Sequence, residues 1–159
     1  QEYIYQKEGV YTLLSILKRA LESETKLYCI IALANLCNNQ LAIQNEIRNC
    51  NGMMILSRIY ESILPSDQHF VEIMRYTTKA VVNLIKNNNL ENKYEVSDCS
   101  IIAHLIPLNT NSNCDEATRH YIELALHHLT SNSINLANEK FLDYAVPSVV
   151  KEKKEKKEK

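Results

Sequence analysis

The feature that most constrains this chain is a pair of short apolar blocks that recur in step. One block reads ALANL (Ala32–Leu36), AVVNL (Ala80–Leu84) and ALHHL (Ala125–Leu129). The other reads GVYTLLSIL (Gly9–Leu17), GMMILSRIY (Gly52–Tyr60), SIIAHLIPL (Ser100–Leu108) and AVPSVVK (Ala145–Lys151). The first block returns after 48 and 45 residues, the second after 43, 48 and 45. Two independent blocks with a shared period define one unit of about 45 residues, repeated about three times with the last copy cut short. A unit of that length cannot bury its own apolar face, so the copies must stack.

The clearest copy divides into three helical stretches. The first runs from Gln40 to about Cys50, and Gly52 then breaks the chain. The second covers Met53 to Ser62, with Met53, Leu56, Ile59 and Tyr60 on one face. Pro65-Ser66 ends it, and Ser66 is the expected N-cap of the third. The third covers Asp67 to Lys86, with Phe70, Ile73, Met74, Thr77, Ala80, Val81 and Leu84 at helical spacing. Gly9 and Gly52 both fall where a first helix would turn into a second, a bend for which a positive φ suits glycine. Ser100 and Ala145 occupy that place in the later copies. Two glycines and three prolines in 159 residues argue against an all-β fold, which needs a turn about every 8–12 residues. The expected units are about 1–39, 40–89, 90–131 and a partial 132–150, followed by the charged tail 151–159.

The three-helix unit resembles the armadillo repeat, whose pattern runs G-[IV]-P-x-L-V-x-L-L and then a third helix ending A-L-x-N-L. The resemblance covers about Gly9 to Val150 and implies an all-α fold, an armadillo-type α-α superhelix of about three three-helix repeats plus a partial one. The HEAT repeat is the nearest rival, with units of two helices rather than three.

In armadillo proteins the third helices line a concave groove that binds a partner segment. Aligned on A-L-x-N-L, the third helices here give a column of Asn35, Asn83 and His128. Two turns earlier stand Tyr28, Tyr76 and Tyr121. Ile31, Lys79 and Leu124 lie four residues before the Asn column, and Asn38, Lys86 and Ser131 three after it. The resemblance implies that the amides face the groove and bond a partner's backbone, since an amide both donates and accepts. The tyrosines would add rigid contact area, and Lys79 and Lys86 would favour an acidic segment. A second arrangement fits the same residues: the asparagines bond the preceding repeat's backbone, and the tyrosine rings lie in the interhelical core. Armadillo proteins that carry nuclear import signals place a Trp where this chain has Ile31, Lys79 and Leu124, and the chain has no Trp. Recognition of basic import signals by that route is therefore not expected.

Chemistry of other kinds finds little support. The tail Lys151–Lys159 carries six Lys and three Glu, leaving the rest at about −4, a poor match for nucleic-acid phosphates. Five cysteines without a C-x-x-C spacing read as free thiols in a reducing compartment. His120 and His127 share a helix face near Glu116 and Glu123, but no H-E-x-x-H spacing or nucleophile pairing accompanies them, so a solvated face is expected rather than a metal site. The longest apolar stretch, Cys29–Cys37, is far shorter than a membrane span. The start at Gln1 reads as a piece of a longer protein. The expectation is a cytoplasmic, non-enzymatic interaction module of a scaffold or adaptor, without cofactor or metal, binding a protein segment along Tyr28, Asn35, Tyr76, Lys79, Asn83, Lys86, Tyr121 and His128. The alternative is a structural or regulatory arm of a larger cytoskeletal, flagellar or ubiquitin-pathway protein, with no peptide ligand of its own.

Overall fold

A computed structural model describes residues 2–86 and 90–130, with side-chain surroundings from Glu8 onward. Among the described residues there are eight helices and no strand: α1 (Glu2–Arg19), α2 (Ser23–Leu36), α3 (Leu41–Asn49), α4 (Gly52–Ser62), α5 (Phe70–Ile85), α6 (Leu90–Asp98), α7 (Ile101–Asn109) and α8 (Glu116–Thr130). None is long and apolar enough to cross a membrane. The shortened copy at 132–150, Ser131 and the Lys/Glu tail lie outside the described residues.

The apolar periodicity explains how the helices meet. On α5 most residues are buried, from Phe70, Ile73 and Met74 to Leu84 and Ile85. A helix with so wide an apolar face must be covered on more than one side, and α5 packs extensively against both α2 and α8. Ile30 and Leu33 of α2 and Ile122 and Ala125 of α8 are fully buried in the same core. Among the remaining helices, α4 touches α1 and α7, α3 touches α6, and α1 packs on α3 more extensively than on α4.

Buried amides join the groups of helices. Gln44, near the start of α3, donates from Nε2 to Cys37 O at 3.0 Å and to Asn83 O at 2.8 Å. Asn92, near the start of α6, donates from Nδ2 to Leu84 O at 2.8 Å. In both places a first-turn amide reaches carbonyls at the ends of long helices, where the last C=O groups lack intrahelical partners: Gln44 reaches the end of α2 and of α5, and Asn92 the end of α5. Across the α5–α8 boundary, Arg75 pairs with Asp115, whose Oδ1 also accepts from the Thr118 backbone N–H at 2.8 Å. Burial alone would raise the Asp115 carboxyl, but the bonds from Thr118 and Arg75 outweigh it and hold the group below its ordinary range.

Three local expectations are corrected. α1 runs straight through Gly9: no atom lies within 4 Å of a Cβ placed there, and no positive φ is required. The bend before the second helix is made instead by Asn51 and Ser100, at φ 57° and 59°. Ser100 is thus the counterpart of Asn51, and the register of that block shifts by one, leaving Ile101 opposite Gly52. Gly52 is required by space, because a Cβ there would stand 2.3 Å from Ile47 Cγ2 and 2.6 Å from Ile47 O. Ser66 does not cap α5. The chain first turns at Asp67, whose Oδ1 accepts from the His69 N–H at 2.8 Å, and the helix begins at Phe70.

Candidate functional site

The neighbours of α5 leave one stripe only partly covered: Glu72, Arg75, Tyr76, Lys79 and Lys86. These positions recur every three or four residues, so they share one face. The matching stripe on α2 exposes Glu24, Tyr28, Asn35 and Asn38, and on α8 it leaves Tyr121, Leu124 and His128 half-buried.

The structure brings some of the expected residues together. Lys79 spans from its own helix to α2: its Nζ lies 5.6 Å from the centre of the Tyr76 ring and donates to Asn35 Oδ1 at 3.4 Å. One cation–aromatic contact and one neutral amide therefore hold this ammonium. Two turns on, the Lys86 Nζ donates to Asn38 Oδ1 on the same neighbour. Neither lysine is paired with a carboxylate among the described residues. Tyr76 and Tyr121 rest their rings against the core, and Tyr28 is 61% exposed.

The Asn column divides. Asn35 is exposed, but Asn83 is only 6% exposed, and its Nδ2 donates to Ala34 O at 2.8 Å. The Asn83 side-chain donor is thus spent on the preceding long helix, and its own carbonyl accepts from Gln44. At this position the structure has the arrangement in which the amide bonds the preceding backbone. His128 is half-buried, and burial, His127, Lys93 and Lys86 together hold its imidazole below the ordinary value.

No family model, curated protein or solved structure matches the chain.

Elsewhere the titratable groups serve packing. Burial pushes the Cys37 thiol up to about 12, far from a reactive thiolate. His104 stacks on Tyr60 with ring centroids 5.7 Å apart, and its Nε2 lies 3.4 Å from Glu61 Oε1. Tyr60 and Thr78 join their hydroxyls at 3.1 Å, and burial raises the phenol. Among the described residues no group of three or more His, Cys, Asp or Glu is placed to hold a metal ion. Sequence reasoning overlooked Gln44 and Asn92, the amides that join the helix groups. They sit one register position apart in α3 and α6, the fourth and third residues of their helices, so no aligned column exposes them.

Proposed function

We propose that this chain is a segment of an armadillo-type solenoid and that it binds an acidic segment of another protein across the face of α2, α5 and α8. The observation that carries the reading is the setting of Lys79 and Lys86. The two lysines stand seven residues apart, about 10 Å of helical rise along the open stripe, with only neutral amides and an aromatic ring as the partners of their ammonium groups. A carboxylate from a partner would displace no existing ion pair, so the charge attraction is not offset by a broken one. Rank-to-rank contacts between helices support the stacked-repeat reading, and the half-buried tyrosines beside the lysines supply amphipathic contact area.

Asn83 favours the structural alternative at its own position, because its amide pins α5 to α2. The binding residues are therefore Tyr28, Asn35, Tyr76, Lys79, Lys86, Tyr121 and His128, with Asn83 as a support beneath them. The test is selection of a random peptide library on the full 159-residue chain, then titration of the enriched peptides against Lys79→Glu/Lys86→Glu. Acidic peptides that bind the variant about tenfold more weakly are expected. A selection in which no enriched peptide loses affinity for this variant would remove the face from consideration.

A further inference from the structure

A second surface lies on different helices. Between α1 and α4 is an open cavity of about 520 Å³. Tyr11, Leu14 and Lys18 line it from α1, and Met54, Ile55 and Arg58 from α4. Tyr11 to Lys18 is seven residues, so this wall is two helical turns or about 10 Å long. The apolar part is presented rather than hidden: Tyr11 is 66% exposed and Met54 48%. An aromatic ring and a thioether on opposite walls make an adaptable apolar cleft.

Charge sets its character. Lys18 and Arg58 contribute one cation from each wall, and no carboxylate lines the cavity. Glu46 lies 3.9 Å from the Cys50 thiol at the α3 end but is not part of the lining. Arg58 Nη2 points to Met54 Sδ at 3.8 Å, and neither cation is paired with a carboxylate among the described residues. Outside its last nine residues the chain carries more acids than bases, so the seam's two cations stand against the net sign of that part of the chain. The chain's own tail, with six Lys against three Glu, has the wrong charge to fill it.

We infer that the α1–α4 seam is a docking site for a short acidic amphipathic segment of another protein, apolar side chains seated between Tyr11 and Met54 and carboxylates meeting Lys18 and Arg58. Two turns of helix match the length of the cleft. The site is independent of the α2–α5–α8 face and stands or falls separately from it.

The test is selection of a random peptide library on the full chain, then fluorescence-anisotropy titration of the enriched peptides against wild type, Lys18→Glu/Arg58→Glu, Met54→Lys and Lys79→Glu/Lys86→Glu. The expected result is a family of peptides combining apolar residues with Asp or Glu. They should bind both seam variants about tenfold more weakly and Lys79→Glu/Lys86→Glu with unchanged affinity. Lys18 and Arg58 are exposed, so the charge reversals leave the melting curve in place and the loss reports on binding. Three results overturn the inference: no enriched peptide responds to the seam variants, the responsive peptides lack carboxylates, or the seam variants abolish self-association of the chain. The last would assign the cleft to a second copy.

Discussion

The helix groups α3–α5 and α6–α8 solve the same folding problem with different residues. Each turns from its short first helix into the second through one residue in the left-handed region, Asn51 or Ser100. Each ties its first helix to the preceding long helix with a buried amide, Gln44 or Asn92. The next residue along contrasts. Gly52 sits so close to Ile47 that a single added carbon has no room, whereas its counterpart Ile101 buries a whole side chain. Backbone conformation and hydrogen bonding are thus repeated, while the volume at the joint is met once by close approach and once by filling.

Emptying the filled joint has the largest expected effect. Ile101→Ala removes a fully buried side chain and should cost about 4 kcal/mol in chemical denaturation, since the cavity adds to the lost transfer energy. The opposite change at the other joint, Gly52→Ala, should cost about 3 kcal/mol, because Ile47 O is backbone and cannot swing away. If Gly52→Ala proves neutral, α4 can slide on α3 and the two joints are more alike than they look.

The Asn column sharpens the comparison between covered and open positions. Asn83→Ala deletes a buried donor and leaves Ala34 O with only the weak Cys37 thiol, a loss of about 2 kcal/mol. Asn35→Ala, at the aligned position of α2 and exposed, should stay within about 0.5 kcal/mol. Equal effects at both sites in thermal melts would show that the aligned asparagines play one role after all.

Much of this was legible in the sequence for a definite reason. Helical periodicity and the recurrence of apolar blocks report burial, and burial decides which helices form and which faces meet. The limits of the second helix, the buried run through α5 and the tyrosine and lysine positions on one stripe all follow from it. Conformation at a single residue leaves a weaker trace. Gly9 and Gly52 look alike in sequence, yet one lies in the middle of a helix with open space around it and the other is wedged against a carbonyl. The left-handed residues at these two bends are Asn51 and Ser100, and serine gives little warning of a positive φ. Gln44 and Asn92 escaped for another reason, and the two arrangements of Asn83 stayed open for the same one: whether an amide faces a carbonyl or a partner depends on the neighbouring helices, which the residue's own helix does not encode.

The smallest expected effect concerns the two bends. A left-handed conformation costs most residues about 1–2 kcal/mol, with asparagine the partial exception because its short amide side chain can bond locally. Ser100 at φ 59° bears that cost without a cap bond from its own side chain. Ser100→Gly should therefore stabilise the chain by about 1 kcal/mol, net of the extra freedom glycine gains in the unfolded state. Asn51→Gly, at nearly the same φ, should gain less, since part of the cost is already relieved there. Denaturant midpoints of the two variants decide the matter. A larger gain at Asn51 than at Ser100 would mean that the serine bend is relaxed by its surroundings, and the two joints would then differ in backbone strain as well as in volume.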